Sequence, residues 1–142
     1  MSRRMAVTGG KPTNGGDHDQ ARRWTPEYVV DVEKGLVTVR FSGKLSLAQI
    51  QDYAKSLRAN PSFRSTFSEI ADLTGVKELD LGAEDFLKLA DESDPFSHDA
   101  KRAFVARGAT QNHAARMHKI LRGQRNFEIF PTVHEAEQWI GG

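Results

Sequence analysis

The chain has 142 residues, a length that suits one domain whose core buries about two-thirds of its unfolded surface. It contains no cysteine, so disulfides, thiolate nucleophiles and cysteine-based zinc or iron–sulfur sites are excluded, and a reducing, cytoplasmic setting suits it. Twenty Lys and Arg oppose 19 Asp and Glu for a net charge of +1, and no apolar run is long enough for a membrane span or a signal peptide.

Residues 1–23 are rich in Gly, Asn, Thr, Asp and Arg, with almost no large apolar side chain after Val7, which predicts a disordered tail ahead of one domain over 24–142. Gly9-Gly10-Lys11 is not a phosphate loop, because Pro12 follows the lysine and no strand precedes it. The β-branched runs Tyr28-Val29-Val30-Asp31-Val32 and Leu36-Val37-Thr38-Val39-Arg40-Phe41 flank Glu33-Lys34-Gly35 and predict a β-hairpin. Val37, Val39 and Phe41 fall on one face, with Thr38 and Arg40 on a wetter one.

Ser46 and Gln49 form a capping box for a helix with Leu47, Ile50, Ala54 and Leu57 inward, ended by Asn60-Pro61. A short strand over 68–72 is followed by an acidic helix over 82–91, with Phe86, Leu87 and Ala90 inward and Glu84, Asp85 and Asp91 outward. Asp94-Pro95 breaks it. Arg102-Ala103-Phe104-Val105-Ala106 is the next strand, and Thr110 is the expected N-cap of a helix burying Ala114, Met117, Ile120 and Leu121 before Gly123. Phe127-Glu128-Ile129-Phe130 is the last strand. Thr132 and Glu135 cap a final helix with Val133, Ala136, Trp139 and Ile140 inward. A hairpin followed by four βα units predicts an α/β fold with a mostly parallel five-stranded sheet. Phe104, Met117, Ile129 and Trp139 are expected to pack together.

Charge is segregated. Ten acids and two bases lie over 69–99, and seven bases without an acid over 101–125. Two solvated faces attracting each other explain this better than a nucleic-acid site, which would carry aromatics among its bases. The opposite blocks also allow a weak homodimer.

Asp72-Leu73-Thr74-Gly75-Val76 places a hydroxyl residue before a glycine, directly after the expected third strand. This stretch resembles the phosphoacceptor loop of STAS domains. With Gly43-Lys44, Arg102-Ala103-Phe104-Val105-Ala106, Ala115-Arg116-Met117, Ile129-Phe130, Glu135-Ala136 and Trp139-Ile140, the chain is similar to the small bacterial SpoIIAA-like, or STAS/SEC14-like, proteins. The resemblance implies a SpoIIAA-like fold and a non-catalytic regulatory module. Its partner-binding surface would be Asp72, Thr74, Gly75 and Lys77, with Thr74 as the phosphoacceptor at a strand-to-helix junction. The alternative it implies is a carrier or sensor of a small apolar or lipid-like ligand.

The bland reading of Thr74 is a hydroxyl satisfying the turn between Asp72 and Gly75. His113 and His118 are five apart and point to different sides of one helix, so no metal site is expected, and no cofactor. Ser42, Ser46, Ser65, Ser68 and Ser97 lack a nucleophile-elbow setting, and no enzymatic activity is expected.

Overall fold

The computed structural model describes residues 26–89 and 94–142. The expected tail over 1–23, and Ala90 and Asp91 of the acidic helix, lie outside the described residues. In chain order the elements are β1 (Glu27–Asp31), β2 (Leu36–Ser46), α1 (Leu47–Ala59), β3 (Ser68–Asp80), α2 (Ala83–Lys88), β4 (Arg102–Val105), α3 (Ala109–Arg122), β5 (Phe127–Phe130) and α4 (Val133–Gly141). The predicted hairpin and four βα units are all present. β1 runs antiparallel to β2, every other neighbouring pair is parallel, and the strands lie in the order β1-β2-β3-β4-β5.

A strand order that advances in one direction, combined with right-handed crossovers, lays the crossover helices on one face. Tyr53 and Leu57 of α1, Phe86 of α2 and Ala114 of α3 accordingly share one cluster with Val37, Val39, Phe104 and Phe127 of the sheet. Helix α4 follows the last strand and is no crossover. It packs Ala136 on the opposite face, against Ile70, Ala103 and Val105.

Local chemistry fixes the ends of these elements. The Ser46 hydroxyl accepts from the Gln49 backbone N–H, and the Gln49 side chain accepts from the Ser46 N–H, both at 3.3 Å. Gly35 in the hairpin turn and Gly123 at the end of α3 have φ of 61° and 67°, the left-handed region that glycine enters without steric cost.

Four expectations are corrected. First, β3 is 13 residues long and not a short strand ending at Asp72. Its pairing with β4 stops at Asp72↔Val105, but the long β2 stays alongside it to Asp80. Thr74 therefore lies within a strand and not at a strand-to-helix junction. Second, α3 begins after Gly108 and not after Thr110; the Gln111 side chain accepts from the Arg107 N–H at 2.8 Å, tying the strand exit to the first turn. Third, Ile120 is 71% exposed, and Leu87 of α2 is exposed while Leu89, just past the end of that helix, is buried. Fourth, Trp139 does not join Phe104, Met117 and Ile129. Those three belong to the face under the crossover helices, whereas Trp139 packs beside Phe130, ring centres 5.8 Å apart, on the α4 face.

Trp139 is only half-buried, and the Lys101 ammonium lies 5.2 Å from its ring centre. Trp139→Ala is therefore expected to lower stability in urea denaturation by ~1–3 kcal/mol, short of the ~3–5 kcal/mol of a fully enclosed aromatic. A larger loss would show that the smaller α4 cluster carries as much stability as the main core.

Candidate functional site

Side chains alternate along a strand, so Glu69, Ala71 and Leu73 of β3 face the crossover helices, as do Arg102 and Phe104 of β4. The register sets Glu69 directly opposite Arg102. A charged pair thus points into the core, among apolar neighbours. Arg102 Nε and Nη2 both reach Glu69 Oε1, at 2.8 and 2.7 Å, and the Tyr53 hydroxyl of α1 donates to Glu69 Oε2 at 2.7 Å. On its other side, Arg102 Nη1 donates to Asp94 Oδ2 at 2.8 Å and to Gln124 Oε1 at 3.1 Å.

The network also holds the connection between α2 and β4. Asp94 Oδ1 accepts from the Phe96 N–H at 3.0 Å, and the Phe96 ring lies 4.4 Å from the Arg102 guanidinium carbon. The Gln124 amide nitrogen donates to the carbonyls of Ser97, His98 and Ala100 at 2.8 to 3.2 Å. Arg122 of α3 approaches Asp94 Oδ2 at 3.0 Å and donates to the Phe96 carbonyl.

His118 of α3 closes the cluster. Its ring stacks near Phe104 and Phe127, and its Nε2 is buried 3.6 Å from Asp94 Oδ2, beyond hydrogen-bond reach, with no hydrogen-bond partner among the described residues. Burial, reinforced by the nearby Arg102 charge, pushes its pKa down to about 3, so it is neutral at physiological pH. Burial, the largest single influence, works against the Asp94 charge, but Arg102 together with His118 and the Phe96 N–H outweighs it, and the carboxyl is held below its ordinary value. Burial and then Glu69 push the Tyr53 hydroxyl well above its ordinary value, keeping it a donor.

Above this network lies a cavity of about 70 Å³. Phe41 and Leu45 of β2, Ile50 and Ala54 of α1 and Phe86 of α2 line it, together with Leu73 and Phe104 from the sheet. Tyr53, Glu69, Asp94, Arg102 and His118 form its polar side.

The residues singled out from sequence are placed elsewhere. Leu73 faces the cavity, so its neighbour Thr74 does not. Asp72 is buried, and its Oδ1 accepts from the Thr74 backbone N–H at 2.9 Å and from the Thr74 hydroxyl at 2.6 Å. The Gln111 amide donates to the Thr74 and Val76 carbonyls at 3.1 and 3.0 Å, taking the place of β4 where that strand has ended. A Cβ on Gly75 would sit 3.0 Å from the Phe41 carbonyl oxygen and from Ser42 Cβ, so close approach of β2 requires glycine there. Lys77 is exposed. Among the described residues no group of three or more His, Asp or Glu could hold a metal ion, and no helix is long and apolar enough to cross a membrane.

A solved structure of an uncharacterized DUF3478-family protein from Shewanella loihica PV-4, described as having a SpoIIAA-like fold, superimposes on 99% of this chain and 98% of its own. The TM-score is 0.50 and the identity 20%. The fold is SpoIIAA-like. No protein-family model matches the sequence, and a search of curated proteins finds no match.

Within this SpoIIAA-like fold, part of the charge segregation of the sequence resolves in the interior, where solvated faces alone were expected. Glu69 and Asp94 from the acidic segment meet Arg102 and Arg122 from the basic one in the interior, while Asp99 and Arg125 of the same two segments pair at 3.7 Å on the surface, as expected. Period-two alternation carried the signal: Glu69 is in phase with Ala71 and Leu73, and Arg102 with Phe104. The position of His118 between two aromatics had no comparable sequence signature.

The His118 and Asp94 shifts have the same sign. Each folded-state pKa is depressed, so each contributes stability that is present above the unfolded value and lost as pH falls toward the folded one. For His118 that window runs from 6.5 down to about 3. Stability measured by urea denaturation should fall across it with a slope approaching ~1.4 kcal/mol per pH unit from this residue. His118→Phe should flatten the limb between neutrality and the carboxylate range; an unchanged slope would assign the loss to other groups.

Proposed function

We propose that the protein binds a small, largely apolar ligand in the cavity between the sheet and the crossover helices, as a carrier or sensor and without turning it over. The observation that carries this reading is the cavity itself. Protein interiors are packed to crystal-like density, and voids larger than a water molecule are few. On the measure by which one water needs about 10–15 Å³, this one takes on the order of five, or one small ring. Apolar walls with a few convergent polar groups are the usual make-up of a small-molecule site.

Ala54, on the α1 wall, provides the test. Calorimetric titration with toluene as the probe is expected to give saturable binding and a raised melting temperature. Ala54→Leu, which fills the space from one side, should abolish the binding while the protein remains folded. Absence of saturable binding to the unmodified protein overturns the proposal.

A second reading keeps the partner-binding surface at Asp72, Thr74, Gly75 and Lys77. In its favour, Thr74 is partly exposed and Lys77 is exposed. A phosphate on Thr74 would replace the proton donated to Asp72 and set negative charge against that carboxylate, loosening the end of β3 where Gln111 holds it. Protein recovered from its own cells should then carry a phosphate that Thr74→Ala removes, and Thr74→Asp should change partner capture and lower the melting temperature. An unmodified Thr74 in such material would sink this reading.

A further inference from the structure

We infer that the ligand of this cavity is an uncharged aromatic ring without a hydrogen-bonding substituent, bridging two groups of aromatic side chains that the cavity keeps apart. The inference rests on the cavity reading above and specifies the chemistry the site selects. Ring geometry gives the first argument. Four aromatic side chains line the cavity, each from a different element: Phe41 of β2, Tyr53 of α1, Phe86 of α2 and Phe104 of β4. Phe41 and Tyr53 meet edge to face, with ring centres 5.8 Å apart and planes at 89°. Phe86 finds the His113 ring at 6.4 Å, and Phe104 lies against His118 and Phe127 at 5.0 and 4.7 Å. Among the described residues, no ring contact joins Phe41 or Tyr53 to Phe86 or Phe104. A ring held in the cavity touches both groups, and joins them by the same packing that each already uses.

Ring chemistry gives the second. An aromatic ring has an electron-rich face and an electron-poor edge, so it can meet one wall ring with its edge and another with its face. A saturated ring of similar size buries similar apolar area without that electrostatic gain.

The polar side of the cavity gives the third. The Tyr53 hydroxyl is used by Glu69, both Glu69 oxygens by Tyr53 and Arg102, and Arg102 is shared among Glu69, Asp94 and Gln124. Asp94 Oδ1 is used by the Phe96 N–H and Oδ2 by Arg102, while His118 Nε2 is enclosed by protein atoms, beyond the reach of a ligand. A polar substituent would lose its water without a partner in return, and an ion would enter a chamber whose carboxylates and guanidiniums are already paired.

Titration of the full chain with toluene, methylcyclohexane, phenol and benzoate at neutral pH tests each argument. Toluene is expected to bind roughly twofold to tenfold more tightly than methylcyclohexane, the increment of one aromatic pair. Phenol should bind no more tightly than toluene, and benzoate at least ~tenfold more weakly. Phe86→Leu keeps that wall apolar but removes its ring, and should narrow the preference for toluene over methylcyclohexane while the protein still binds both. Should that variant fail to fold, the ranking of the four probes on the unmodified protein decides alone. Equal affinity for toluene and methylcyclohexane, tighter binding of phenol or benzoate, or a preference unchanged by Phe86→Leu overturns the inference while leaving an apolar cavity. Failure of all four probes overturns the cavity reading as well.

Discussion

A guanidinium removed from water is tolerable only where carboxylates meet it at close range and its remaining hydrogens find acceptors. Arg102 satisfies that condition with Glu69 at 2.7 Å on one side, Asp94 at 2.8 Å on the other and Gln124 between. Loss of either partner would strand buried charge, at a cost of about 3–5 kcal/mol. The pairing also fixes geometry. Glu69 and Arg102 hold the β3–β4 register, Tyr53 locks α1 to Glu69, and Asp94 brings the connection after α2 down onto the sheet. Three layers of sequence, from α1 to α3, converge on one ion pair whose strength an apolar replacement could match but whose directionality it could not.

Topology decides where such a pair can sit. In a sheet whose strand order reverses, ligands gather in the crevice at the reversal, outside the carboxyl ends of the strands. Here the order β1-β2-β3-β4-β5 never reverses, so the edge offers no such crevice. The open space lies instead beneath the crossover helices. It opens over the middle of the sheet, where small residues face one another: Ala54 on α1, Ala71 on β3 and Ala114 on α3 all line the cavity. Larger side chains at those positions would close it over the ion pair.

The fold was legible wherever a local rule had no competitor. Capping at Ser46 and Thr132, the left-handed stop at Gly123 and the hairpin at Gly35 are decided by the residues themselves. What failed depended on distant partners. The length of β3 is set by β2 continuing beside it, and the start of α3 by Gln111 bridging back to Arg107 and across to Thr74. Trp139 was misplaced for a related reason: helical periodicity says which side of α4 is apolar, but not which face of the sheet it meets. The candidate site was the least legible part. Composition showed opposite charge blocks, and only the strand phase of Glu69 and Arg102 showed that the blocks meet inside.

The ion pair leaves one neighbouring group outside its hydrogen bonds. A fully satisfied polar network rigidifies a core, and most of this one is satisfied. His118 is the exception: it is close enough to Asp94 to complete the cluster, yet 3.6 Å is too far for a hydrogen bond. Its ring is held by Phe104 and Phe127, and Arg102 beside it disfavours a proton that would draw it onto the carboxylate. Burial first, and then the same guanidinium that stabilises Asp94 as an anion, keep His118 neutral, with its buried nitrogen 3.6 Å from the carboxylate. The arrangement that makes the interior tolerable for Arg102 thus also sets the state of its neighbours, Asp94 charged and His118 neutral.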